Sequence, residues 1–225
     1  MMVNLLFGLP GERPGGLMLT ITFFMTAGGG ACMAGFVYAM ICAGLPRQSI
    51  PLQVCSALLR GTPLLLLVFL VAHIPGISAS NAGLVALLLY SASHVGEILR
   101  PFLASYPESL SQQAGVMSIG YVQEWIGLRV PWTLWRAHPV LLTHWVSLLK
   151  DTGALIVLGI AELTTIAKVL SELQRTPGQW AIIFVTAGGL YLGASFVLIY
   201  VLQFILEREI PVIGCENQAL MIREG

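Results

Sequence analysis

Three long stretches of the chain contain no Asp, Glu, Lys or Arg: Pro14–Pro46, Gly61–Gly96 and Thr176–Leu206. A helix that crosses the hydrocarbon of a bilayer needs about 20 mostly apolar residues. The first stretch therefore predicts a span over 17–43, and the third one over 180–206. The middle stretch is cut by His73-Ile74-Pro75-Gly76-Ile77-Ser78, a cluster of breakers. It reads as two spans, 55–73, which takes its first turns from Leu52–Thr62, and 82–99. A fourth apolar run, 141–161, is interrupted only by Lys150-Asp151. The pattern predicts an all-α polytopic membrane protein: one transmembrane domain over 1–225, about five transmembrane helices, and a long loop over 101–138 between the third and fourth.

Composition agrees. Of 225 residues 56% are hydrophobic and 10% charged, and mean hydropathy is +0.84. Soluble domains carry about 25% charged residues, so an ordinary soluble enzyme and a disordered chain are excluded, and membrane lipid is the expected surroundings. A net charge of +0 leaves no electrostatic footprint for nucleic acid. The first apolar run is too long for a signal peptide and lacks a basic lead, so it reads as a retained helix. Five spans place Arg47, Arg60, Arg100, Arg129, Arg136, Arg208 and Arg223 on one side and Arg13, Lys168 and Arg175 on the other. The richer side is expected to be cytoplasmic. The N-terminus is then outside, the C-terminus inside, and the 101–138 loop cytoplasmic.

Candidate chemistry is sparse. Cys32 and Cys42 lie on one predicted helix about 15 Å apart, too far to bridge, and Cys55 and Cys215 fall where thiols stay reduced. His73, His94, His138 and His144 are scattered without metal-ligand spacing, and we read them as structural or interfacial. Trp125, Trp132, Trp135, Trp145 and Trp180 sit where interfacial aromatics are expected. Gly30/Ala34 and Gly189/Gly193 have small-xxx-small spacing. No phosphate-cradling G-x-x-x-x-G-K-[ST] occurs, so the chain is expected not to hydrolyse ATP itself.

Within the loop, residues 107–121 read as an amphipathic helix capped by Ser109 or Ser111, with Leu110, Ala114, Met117 and Tyr121 along one stripe. A second short helix is expected over Val122–Leu128, ending before Pro131. Such helices either pass force to a soluble partner or lie in the headgroup layer. Thr143, Ser147 and Asp151 recur at i, i+4 and i+8. If the helix continues, Glu162 falls within about 20° of the same face. The stripe either lines a polar path or ends at the water boundary. Thr20, Thr22, Thr26, Ser91 and Ser93 read as structural hydroxyls. Glu97 and Arg100 can pair one turn apart, with Arg60 a second partner for Glu97.

The blocks Arg60-Gly-Thr-Pro-Leu-Leu, Glu97-Ile-Leu-Arg100, Ser147-Leu-Leu-Lys-Asp-Thr152 and Gly159-Ile-Ala-Glu-Leu-Thr164, with Pro107, Pro131 and Pro139 in register, resemble the membrane subunit of binding-protein-dependent ABC importers of the polar amino acid type. The resemblance implies a prokaryotic inner-membrane permease subunit, not itself an enzyme. It implies two ATPase subunits that carry ATP and Mg, a second permease subunit and an external solute-binding protein, with no cofactor in this chain. It also implies that the loop helix docks on the ATPase. The family pattern there is Glu-Ala-Ala, three residues, Gly; this chain has Gln112-Gln113-Ala114 and Ser118. Coupling is thus expected at Glu108, Gln112, Gln113, Ala114, Ser118 and Glu124, a path at Thr143, Ser147, Asp151 and Glu162, and loop fixing at Arg60, Glu97 and Arg100. The Gln-Gln-Ala departure suits a chain paired with a second, different permease. A self-sufficient channel or secondary carrier is the alternative, although no inverted repeat is visible. A membrane-embedded enzyme would need a convergent catalytic set, and no HExxH, GxSxG or paired-acid motif occurs.

Overall fold

The structure is a computed structural model; it describes residues 1–11, 14–45, 47–174 and 176–209, and side chains as far as 204. Arg13, Arg175, Arg223 and Cys215, used above, lie outside the described residues, as does the side chain of Arg208. The helices are α1 (Met2–Phe7), α2 (Gly16–Gly44), α3 (Ile50–Gly61), α4 (Leu64–Ala72), α5 (Ala79–Ala104), α6 (Glu108–Val116), α7 (Tyr121–Glu124), α8 (Val130–Asp151), α9 (Leu163–Glu172) and α10 (Pro177–Glu209). A π turn, Trp125–Arg129, joins α7 to α8, and a 3₁₀ segment, Thr152–Leu158, follows α8.

Four helical runs are long and apolar enough to cross a membrane: Gly16–Gly44, Ala79–Ala104, Tyr121–Leu158 and Pro177–Phe204. α3 and α4 together are long and apolar enough for a fifth, but they are bent by 105°, the geometry of a broken span or a re-entrant loop. The span expected over 55–73 is therefore not straight. Pro63 contributes no N–H and forces its predecessor out of helical space, and Thr62 sits at φ −85°, ψ 126°. Its N–H and its hydroxyl both donate to Leu58 O, at 3.0 and 2.8 Å.

The fourth span also differs from expectation. Rather than a short helix stopped by Pro131, the chain is helical without a break from Tyr121 to Leu158, 38 residues. Pro131 falls where the π turn passes into α8, so the ladder loses one donor there without the helix ending. Pro139 lies inside α8 and cannot donate to Trp135 O, but His138 Nδ1 bonds that carbonyl. At about 1.5 Å per residue the run is about 57 Å long, far more than one bilayer crossing. Glu124, Arg129 and Arg136 occupy its first half, so the second half is the part with few enough charges to suit a bilayer.

Packing in lipid depends on close approach rather than on water exclusion. Parallel α2 and α5, in register from Phe23 beside Gly83 to Tyr38 beside Gly96, form the most extensive contact. A Cβ on Gly35 would lie 2.8 Å from Ala92 O and from Gly96 N, so the glycine sets how close the two backbones come. By contrast, Gly189 and Gly193 have open space where a Cβ would be; among the described residues their small-residue spacing brings no helix into close contact. The central core joins Phe23, Phe24 and Ala27 of α2 to Val68 and Val71 of α4, Ala82, Ala86 and Leu87 of α5, and Leu148, Leu149 and Leu155 of the long run. A second core joins Leu5 of α1 to Leu163, Ile166 and Leu170 of α9 and Ile183 of α10. α1 and α9 thus lie on one face, and α6 lies on the other beside the ends of α2 and α5.

Candidate functional site

The connection after α5 builds a compact projection. Pro107 takes the N-cap position of α6, and no side chain caps it; the capping expected of Ser109 or Ser111 is not formed. α6 ends in a Schellman motif: Ile119 N–H donates to Ala114 O at 2.9 Å and Ser118 N–H to Gly115 O at 3.0 Å. The motif places Ser118 at φ 56°, the only positive φ at a non-glycine among the described residues. The position where the resemblance places glycine therefore has the backbone that glycine favours.

Inside the projection, Ser111 Oγ donates to Glu124 Oε1 at 2.7 Å, and Arg129 donates to that oxygen from Nε at 2.9 Å. A second guanidinium nitrogen of Arg129 donates to Ser111 Oγ at 3.1 Å. The Arg129 guanidinium lies 4.8 Å from the Tyr106 ring centroid and 4.9 Å from that of Trp125. The Ser111 hydroxyl and then Arg129 hold the Glu124 carboxyl below the usual carboxylate range. Glu124 is buried at 8% exposure, so of the six residues expected to couple it points inward and is not on the outer surface. Ala114 is also buried, whereas Glu108, Gln112, Gln113 and Ser118 are exposed.

The expected apolar stripe divides. Ala114 faces inward, but Met117 and Tyr121 are 74% and 70% exposed because the chain reverses at Ser118. With Val116, Val122 and Ile126, all more than 60% exposed, they form an apolar tip. Exposed patches of this kind mark contact surfaces. At the base of the projection, Glu97 receives Arg100 at 2.9 Å and Arg60 at 3.5 Å, so both pairings foreseen for it form. The Tyr38 hydroxyl of α2 donates to the same carboxyl, a contact without a sequence signal. Glu97 thereby ties α2, α3 and α5 together at one level.

Farther along α8, Thr143, Ser147 and Asp151 share one face; the first two are exposed and Asp151 is partly buried. His144 packs beside them. Its ring stacks on His94 of α5 at 5.4 Å and 11°, and its Nε2 is 2.9 Å from Ser91 Oγ. His94 Nδ1 bonds Tyr90 O at 2.9 Å. This pairing of two distant histidines was missed; two ionisable rings within otherwise apolar spans were the available signal. Thr22, Thr26 and Ser93 bond carbonyls of their own helices, while Thr20 and Ser91 reach across helices. No group of three His, Cys, Asp or Glu among the described residues is placed to hold a metal.

Glu162 does not extend the α8 stripe. The helix tightens into the 3₁₀ segment after Asp151 and turns away at Gly159, φ 68°. Glu162 is fully buried and caps α9. Its carboxyl accepts from Thr164 N–H at 2.9 Å, Thr165 N–H at 2.8 Å and the Tyr191 hydroxyl at 3.0 Å. Thr20 Oγ1 donates to it at 3.4 Å and itself accepts from Leu163 N–H at 3.1 Å. It is a junction of α2, α9 and α10, withdrawn from any path along α8.

With this geometry in place, the chain was compared with known proteins. No family model matches it. It is 25% identical over 173 residues to a Bacillus subtilis (strain 168) protein described as probable glutamine ABC transporter permease protein GlnP, covering 72% of this chain and 79% of that one. It is 28% identical over 182 residues to the arginine ABC transporter permease protein ArtQ of Haemophilus influenzae, covering 73% and 81%. It is 26% identical over 211 residues to the octopine transport system permease protein OccM of Rhizobium radiobacter, covering 87% and 82%. Among solved structures, an amino acid ABC transporter with histidines superposes with a TM-score of 0.71 at 20% identity, over 85% of this chain and 91% of that one. The inward-facing MetNI methionine ABC transporter gives 0.70 at 14%, over 84% and 92%. The chain thus has the fold of ABC-transporter membrane subunits and is related in sequence to their amino acid permeases, as the Arg60 and Ser147 blocks lead one to expect.

Proposed function

We propose that the chain is the permease subunit of an ATP-driven importer for a polar amino acid, forming half of the translocation path and driven by separate ATPase subunits. One observation carries this reading most directly. The apolar tip at Val116, Met117, Tyr121, Val122 and Ile126 is exposed on a projection continuous with a membrane-crossing helix. A surface of this kind, outside the bilayer and rigidly joined to a span, suits a soluble partner that pushes on it. Glu108, Gln112 and Gln113 would flank that contact. ATP and Mg would be bound by two ATPase subunits, a second permease subunit would complete the path, and an external binding protein would deliver solute. The α6 face is then cytoplasmic, with the N-terminus outside and the C-terminus inside a prokaryotic plasma membrane.

The exposed Thr143–Ser147 face of α8, with Asp151 and the His94–His144 pair beside it, would line the path. Hydroxyls and a carboxyl there can replace water around the ammonium group of an amino acid. In proteoliposomes holding the chain, its ATPase and a binding protein, uptake should require ATP. Asp151→Asn should lower uptake about tenfold, the loss of one charge-assisted contact of about 1.4 kcal/mol, while the ATPase subunits stay bound. Uptake by the chain alone would instead establish a self-sufficient carrier.

A further inference from the structure

We infer that Arg129 is a positioning residue that locks the docking helix α6 to the membrane-crossing rod, so that displacement of the tip is passed to the path-lining helix rather than lost in the loop. The inference rests on the permease reading above.

Four pieces of chain meet at its guanidinium: Tyr106 from the α5–α6 link, Ser111 from α6, Glu124 from α7 and Trp125 from the π turn. In an α-helix, residues five apart point about 140° away from each other, so Glu124 and Arg129 would diverge. The π turn between them removes the divergence. Val130 N–H bonds Trp125 O, five residues back, and this wider turn brings residues five apart over one another. Arg129 therefore reaches Glu124 and Ser111 at the same time, at 2.9 and 3.1 Å. A planar, stacked guanidinium with two directed donors fixes orientation as well as distance, which a lysine ammonium does not. Tyr106 also packs edge-on against Trp132 of α8, ring centroids 5.5 Å apart, so the α5–α6 link bears on the same rod. Besides these contacts, α6 turns only the buried Ala114 and the half-buried Leu110 inward, and its two connections, Ser105–Pro107 and Met117–Gly120, contain no helix of their own. Small apolar contacts set the distance of α6 from the rod, and the lock, with its directed donors, sets the orientation.

The test uses the complete transporter in proteoliposomes and reads amino acid transported per ATP hydrolysed. R129M should leave the complex assembled and hydrolysing ATP but lower the ratio by about tenfold, as expected when a bidentate charge-assisted pair is lost. R129K should recover part of the loss, and S111A should lower the ratio about threefold. Adding E124Q to R129M should change little further, because the three groups act as a unit. Spin labels at V116C and V140C, in a background with the native cysteines replaced by alanine, should give one narrow distance that broadens in R129M. That distance is measured on the chain alone and so reports the lock even if the chain proves not to be a permease. Failure of the unsubstituted complex to transport with ATP would refute the permease reading. R129M with a ratio within twofold of the parent and an unbroadened distance would overturn the inference, as would loss of the ATPase subunits from R129M. If R129M does not accumulate, S111A decides by the same two readouts.

Discussion

Two carboxyl groups, Glu124 in the projection and Glu162 at the opposite face, are both buried and both hold several elements together, but by different means. Glu124 meets a guanidinium and a hydroxyl. Glu162 has no cation among its described partners; it is held by two backbone N–H groups at the start of α9 and by hydroxyls of Thr20, Thr165 and Tyr191. A guanidinium needs hydration or a close anion, and the projection is near water. Deeper in the protein, the positive end of a helix and a ring of neutral donors satisfy a carboxyl group without bringing in a second charge that must itself be desolvated. The first arrangement suits a joint that bears load; the second suits a fixed anchor.

Removing the anchor should have the larger effect. Glu162→Ala leaves the α9 cap and the Tyr191 and Thr20 hydroxyls without their acceptor, and should destabilise the protein by about 3 kcal/mol, seen as a lowered Tm in detergent. Glu162→Gln keeps an acceptor, and transport should persist in it; loss of transport without loss of Tm would return Glu162 to the path. At the joint, Ser118→Gly should stabilise by about 1 kcal/mol, because it relieves a left-handed residue. A lowered Tm would mean that the Ser118 side chain makes a needed contact. The smallest effect is that of pH. Because the Glu124 carboxyl is held below its usual range, the lock's contribution is complete above the ordinary carboxylate pKa of about 4.3 and is lost only as pH falls through the lower folded value. The Val116–Val140 label distance should therefore stay constant from neutral pH down to about pH 5 and broaden below about pH 4. Broadening near pH 6 would contradict the assignment of Glu124.

Much of this was legible beforehand, for identifiable reasons. Charge-free stretches located the long apolar helices because lipid admits few charges, and Glu97 with Arg100 followed from helical spacing. The break at Thr62–Pro63 was written in the proline, yet a hydropathy reading runs across it. The fate of Glu162 was not legible: the expected stripe assumed that α-helical periodicity persists past Asp151, and the 3₁₀ segment and Gly159 change the phase. Likewise Glu124 and Arg129 are out of phase on an α-helix, so the lock emerges only once the π turn is seen. The His94–His144 contact depends on how α5 and α8 align, which no local pattern encodes.

The length of the Tyr121–Leu158 run has a mechanical corollary. About 57 Å of continuous helix is about 27 Å more than the hydrocarbon of a bilayer, about 30 Å, can cover. Pivoting that excess length by about 10° at the bilayer edge swings its free end through about 5 Å, one helical pitch. On the proposed permease reading, a modest stroke applied to the projection would be geared to an angular change of the walls within the membrane.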